Sequence, residues 1–112
     1  MPLRLPTYLK QGDTAPYVDA ILKDAAGRVV DVTDASVQFH MRPKEGGDLK
    51  IDAAGSVVDG AAGHVRYALQ IGDTDTTGEF HCEYEVTYAD GRIETFPNDA
   101  TPLPLIISEE LG

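Results

Sequence analysis

The sequence predicts an all-β fold, a single antiparallel β-sandwich, on three observations. Residues 79–88, Glu79-Phe80-His81-Cys82-Glu83-Tyr84-Glu85-Val86-Thr87-Tyr88, carry an apolar or aromatic side chain at every even position and a polar one at every odd position. Such a two-residue period marks a strand with one face in a core and the other in water. Further short stretches alternate in the same way between Gly- and Asp-rich turns. No stretch of ten residues keeps the 3.6-residue apolar period of a helix.

The chain opens with Met1-Pro2-Leu3-Arg4-Leu5-Pro6, where the two prolines exclude a helix. Residues 1–6 are therefore expected to form an extended arm and residues 7–112 the sandwich. Leu3 and Leu5 need cover, so Leu3, Arg4, Leu5 and Pro6 are the candidate interface, an arm that docks on a neighbouring molecule rather than a frayed tail. Strands are expected over residues 17–23 and 28–32, on either side of the turn Asp24-Ala25-Ala26-Gly27. Residues 36–42 alternate with Val37, Phe39 and Met41 on one face, and Pro43 should end that strand because it offers no ladder donor. Short strands at 49–51 and 56–58 lie between Glu45-Gly46-Gly47-Asp48 and Asp59-Gly60-Ala61-Ala62-Gly63.

Residues 64–70 alternate again, with Val65, Tyr67 and Leu69 in phase. The strand at 79–88 follows Gly72 to Gly78 and leads into Asp90-Gly91, a strong hairpin signal before a strand at 92–96. A loop from Phe96 to Pro102 precedes a last strand at 103–107, where Pro104 requires a sheet edge or the first rungs. The expected core is Phe80, Cys82, Tyr84 and Val86 with Val37, Phe39, Met41, Val65, Tyr67 and Leu69, because a one-residue slip would turn any of these strands inside out.

Composition narrows the function. A chain of 112 residues can bury one core without staples. The single cysteine, Cys82, permits no internal disulfide and lies on the apolar side of its strand. No leader-like or membrane-spanning apolar run is present. The formal charge of −10, from 19 acidic and 9 basic residues, argues against nucleic acid and anionic membranes as partners, since displacing counterions from phosphates needs clustered Lys and Arg.

Candidate chemistry is sparse. Asp73-Thr74-Asp75-Thr76-Thr77-Gly78 begins like a calcium loop, but the twelfth position is Tyr84, and an Asp/Thr/Gly turn accounts for the same residues. His40, His64 and His81 fall on the polar faces of their strands, and two imidazoles could approach only if the strands at 36–42 and 79–88 are neighbours. Glu83 and Glu85 lie in a row on a wet face, unlike a glycosidase pair set across a cleft. With no Ser-His-Asp arrangement, phosphate-cradling loop or Cys/His metal box in the sequence, the expectation is a non-enzyme with no catalytic, cofactor-binding or metal residues.

Thr76-Thr77-Gly78-Glu79-Phe80-His81-Cys82 is similar to the immunoglobulin corner Gly-x-Tyr-x-Cys, with Phe80 in place of the tyrosine and no second cysteine or tryptophan. A broader resemblance runs from Lys10-Gln11-Gly12-Asp13-Thr14-Ala15-Pro16 through Leu22 to Phe39, Val57 to Tyr67, Gly72 to Phe80 and Tyr88 to Pro97. In that order these blocks resemble the immunoglobulin-like N-terminal domain of the baseplate upper proteins of tailed phages (the BppU family). The resemblance implies an immunoglobulin-like sandwich serving as a non-catalytic virion structural protein. It would be a small anchoring, adaptor or decoration subunit of tail, baseplate or head, made in the host bacterial cytoplasm, contacting other virion proteins and forming homo-oligomers in the particle. The alternative is a free-standing carbohydrate- or calcium-binding sandwich using the loop around Asp73 and Asp75. Sugar platforms favour exposed aromatic rings, whereas Tyr67, Tyr84 and Tyr88 are expected to face the core.

Overall fold

The computed structural model describes residues 6–98 and 102–111, and within them there are nine strands and no helix. They are β1 (Thr7–Lys10), β2 (Tyr17–Ile21), β3 (Ser36–Pro43), β4 (Ile51–Ala54), β5 (Ser56–Asp59), β6 (His64–Ala68), β7 (Gly78–Thr87), β8 (Ile93–Phe96) and β9 (Leu103–Ser108). The larger sheet has the order β1-β9-β7-β3-β4, with β8 paired to β7 beyond the end of β9; the smaller is β2-β6-β5. This is an all-β sandwich, as the alternation predicts.

The ten-residue β7 organises the larger sheet. Its even positions, Phe80, Cys82, Tyr84 and Val86, are all buried, and its odd positions from His81 onward are half-buried on the outer face. The facing strand β3 keeps the same phase through Phe39↔Tyr84 and Met41↔Cys82. All ten residues expected in the core are buried there, joined by Leu9, Val18, Leu22, Val32, Ile51, Phe96, Leu105 and Ile107.

The two sheets are tied by aromatic side chains. Phe39 of β3 stacks on Tyr67 of β6, with ring centroids 4.7 Å apart and planes inclined by 11°. Tyr84 packs tilted against Phe39 at 5.1 Å, and its hydroxyl crosses the core to donate to the Val18 carbonyl of β2. That bond satisfies the one polar atom of a fully buried ring, which would otherwise cost its full desolvation.

Several expectations need correction. The strand expected at 28–32 is reduced to a single bridge, Lys23↔Val29, because the segment is held by separate bonds from Val30 N to Leu22 O and from Val32 N to Gly60 O. The sandwich is not wholly antiparallel: β1, a strand not foreseen in the sequence, pairs in parallel with β9. Pro43 ends β3 as expected, although as its last rung, opposite Phe80, rather than just beyond it. Strands expected to begin at Leu49 and to reach Lys23 or Gln70 begin at Ile51 and end at Ile21 and Ala68, although Leu69 stays buried. Pro104 sits in a strand with partners on both sides, yet only below the first β1 rung, Thr7↔Leu105, so no donor is missed there.

β4 and β5 are one extended run that changes sheets at Gly55. A Cβ at that position would lie 2.9 Å from the Arg66 carbonyl oxygen and 3.0 Å from Val37 Cγ2. Only a residue without a side chain lets the run pass this close to both sheets.

Burial sets the alkaline limit of the fold. Cys82 is enclosed, and burial pushes its thiol from an ordinary 9.0 up to about 12. Burial also raises the Tyr84 phenol well above 10.0. The unfolded chain loses these protons first, so their stabilisation is complete below pH 9.0 and is lost as pH rises towards about 12. The melting temperature is therefore expected to fall on that side, with thiol reagents labelling Cys82 only as unfolding sets in. Rapid labelling of the folded protein at neutral pH would contradict the burial.

Candidate functional site

The Asp73–Gly78 loop turns out to be a structural staple. Asp73 Oδ2 accepts from the Tyr67 hydroxyl at 2.6 Å and from the Gln70 amide at 2.8 Å. Thr74, buried, donates to the Asp13 carbonyl at 2.8 Å. Asp75 Oδ1 pairs with Lys50 Nζ at 2.6 Å and accepts from the Thr76 hydroxyl at 2.9 Å. Its own carbonyl accepts from Gln11 Nε2 at 2.8 Å. The bond from Lys50, then that from Thr76, holds the Asp75 carboxyl below its usual range. The loop thus pins the β1–β2 turn and the approach to β4, with both carboxylates engaged by protein donors. Millimolar calcium is expected to leave the melting temperature unchanged; a rise that disappears in Asp75→Ala would restore the ion-binding reading.

The outer face of the larger sheet carries a second cluster. β3 and β7 are neighbours, the condition for two imidazoles to approach, but the register sets His40 opposite Glu83 and His81 opposite Arg42. His40 therefore meets carboxylates instead: Nε2 lies 3.2 Å from Asp52 Oδ1 on β4, and Nδ1 lies 3.5 Å from Glu83 Oε1 on β7. Its side chain is only 17% exposed. A cleft of about 260 Å³ opens beside this row, lined among others by His40, Arg42, Leu49, His81, Glu83 and Pro97. No group of three or more His, Cys, Asp or Glu side chains arranged to hold a metal occurs among the described residues.

On the outer face of the smaller sheet, Arg66 of β6 binds Asp19 of β2 at 2.8 Å and lies over the Tyr17 ring, 4.1 Å from its centroid. His64 Nε2 stands 3.5 Å from the same Asp19 carboxylate. The Arg66 hydrogen bond is the main cause of a lowered Asp19 pKa, and burial opposes it. These are cross-strand pairs on a half-exposed face, where solvent screens most of their attraction.

The third feature is an edge. β1 is the outermost strand of the larger sheet among the described residues, with β9 on one side only. Its inward residue, Leu9, is buried opposite Ile107; Tyr8 points outward beside Ile106 and is 70% exposed. Of the expected interface, Leu3, Arg4 and Leu5 lie outside the described residues, and Pro6, partly buried, stands just before β1. Tyr8 escaped the sequence reading because four residues, with apolar Tyr8 and Leu9 adjacent, are too short to display a period. Of the three tyrosines expected to face the core, Tyr67 and Tyr84 are buried, while Tyr88 packs at the margin and donates to Glu94 at 2.7 Å.

No protein-family model matches the chain, and no curated protein is similar to it. Among solved structures the chain is similar to CopC from Methylosinus trichosporium OB3b, with a TM-score of 0.53 and 9% identity over 96% of this chain and 87% of that one. At that identity the likeness shows the β-sandwich fold alone.

Proposed function

We propose that this chain is a non-catalytic structural subunit of a phage particle, an anchoring, adaptor or decoration component that works through protein–protein contacts. The observation that carries the reading is the open edge of β1, where Tyr8 stands exposed beside Ile106. An edge strand with free backbone donors and acceptors is a template for pairing unless charge, proline or a neighbour blunts it, and β1 carries a single charge, Lys10, at its end. An exposed tyrosine adds a large rigid contact at low entropic cost. The resemblance of the sequence blocks, in their order, to phage baseplate upper domains suggests the particle setting. The calcium- or sugar-binding alternative loses support from the engagement of Asp73 and Asp75 with Tyr67, Gln70, Lys50 and Thr76.

The test is incorporation. Mass spectrometry of purified particles of the encoding phage should find the chain in multiple copies. Tyr8→Asp, on an exposed site, should keep the melting temperature within about a degree or two, since surface changes cost little. The variant should nonetheless be lost from the particles. Absence of the wild-type chain from purified particles would end the virion reading; full incorporation of the variant would remove β1 from the contact.

A further inference from the structure

The backbone of β1 fixes which of its polar groups are left open. Gln11, just past the strand, donates its N–H to the Ser108 carbonyl at 2.8 Å, continuing the ladder with β9. Successive residues of a strand turn their polar groups to opposite sides, so Thr7, Leu9 and Gln11 face β9 while Tyr8 and Lys10 face the open edge. The Pro6 carbonyl joins them there, because it points opposite to the Thr7 N–H across one planar trans peptide. The Lys10 carbonyl is already engaged, accepting from Asp13 N at 3.1 Å in the turn that ends the strand. Along the chain the edge therefore offers the Pro6 carbonyl, the Tyr8 N–H and carbonyl, and the Lys10 N–H, none with a backbone partner among the described residues.

That series is its own complement. Two copies set antiparallel about a twofold axis at Tyr8 place Tyr8 opposite Tyr8, where each N–H meets the other carbonyl. They also place Lys10 opposite Pro6, so that each Lys10 N–H meets a Pro6 carbonyl. The N–H that proline cannot supply falls opposite the Lys10 carbonyl, the acceptor already occupied. Other registers lack this match. Centred on Thr7, the Tyr8 carbonyl would face a proline nitrogen; centred on Leu9, the Lys10 carbonyl would have to accept twice; centred on Lys10, two ammonium groups would stand directly opposite.

Charge selects the same partner. The chain has 19 acidic residues, so copies repel one another at long range. Yet β1 and β9 contain no acidic residue, and Lys10 is their only charge. Opposite residues of an antiparallel pair share a face, so each exposed Tyr8 ring beside Ile106 would be covered by the same ring of the other copy.

We infer that two copies of this chain join β1 to β1, antiparallel and centred on Tyr8, into one continuous sheet across a twofold axis. This deepens the reading of β1 as the contact edge, on which it rests, by naming a second copy as the partner. A four-residue strand buries less than the roughly 1,200 Å² in total of a stable complex, so the dimer is weak. It forms at high concentration, or where a particle holds copies side by side.

Sedimentation of the full chain, together with NMR of its amide exchange, tests this. The mean mass should climb from that of a monomer at about 10 µM towards that of a dimer at about 1 mM. Raising the salt to about 0.5 M should favour the dimer by screening the net charge of −10. At the higher concentration the Tyr8 and Lys10 amides should exchange at least about twofold more slowly, whereas the Leu9 amide, bonded within the sheet, should not change. Tyr8→Asp, which sets two carboxylates at the axis, should stay monomeric, and Tyr8→Phe should dimerise like the wild type because the bonds are made by the backbone. A monomer at about 1 mM in high salt overturns the inference. If that monomer is still built into particles, β1 remains a contact for another virion protein. A dimer in which the Tyr8 and Lys10 amides exchange as in the monomer also overturns it and places the contact on another surface. A dimer with both amides slowed, from a chain absent from purified particles, upholds it while ending the virion reading.

Discussion

Phe39→Ala is expected to lower the free energy of unfolding by about 3–5 kcal/mol, the range for deleting a buried aromatic ring. The ring is fully buried at the centre of the sandwich, stacked on Tyr67 of the opposite sheet and tilted against Tyr84 of its own. Removing it leaves a cavity between the sheets and takes the support from Tyr84, whose hydroxyl depends on ring position to reach the Val18 carbonyl. Since domains of this size hold only about 5–15 kcal/mol in total, the variant should be largely unfolded well below the wild-type midpoint. Urea denaturation should show the midpoint falling at unchanged slope. Phe39→Leu, which refills most of the volume, should recover much of the loss. A cost below about 1 kcal/mol for the alanine variant would mean that the sheets are not held together through this ring.

How much of this could be read in the sequence depends on what alternation can encode. A two-residue period fixes which face of a strand is buried, and β7, β3 and β6 obey it, so their core residues were legible. The period does not fix which strand lies beside which. The parallel β1–β9 pair and the passage of β4 into β5 at Gly55 are set by closure of the sandwich, not by local pattern. Valines 29, 30 and 32 look like a strand, yet that segment is an edge strap tied to Leu22 and Gly60. The histidines illustrate the same limit. Their outward direction was legible from phase, whereas the register that brings His40 to Asp52 and Glu83 was not. In the Asp73–Gly78 loop the residue types fit an ion or a turn, and only long-range partners such as Lys50 and Tyr67 separate the two.

Gly63→Ala should be nearly as damaging as the loss of Phe39, for reasons of backbone rather than core. Gly63 has a φ of +66°, a left-handed conformation that costs an L-residue about 1–2 kcal/mol. A Cβ there would also lie 2.8 Å from the Val30 carbonyl oxygen and 3.0 Å from that of Leu22. The Leu22 oxygen cannot swing away freely, since it accepts from Val30 N while Leu22 N donates to the Gly63 carbonyl. Forcing atoms into such a packed site typically adds about 1–3 kcal/mol. The whole strap at 28–33 is affected, because Val32 N donates to Gly60, which itself allows no Cβ against the Thr33 backbone. Gly91→Ala is the matched control, with a φ of +89° but nothing within 4 Å of the added methyl. Thermal or urea unfolding should rank Gly63→Ala about 1–3 kcal/mol below Gly91→Ala. Equal losses would show that conformation alone sets the cost and that the 22–33 strap is free to move aside.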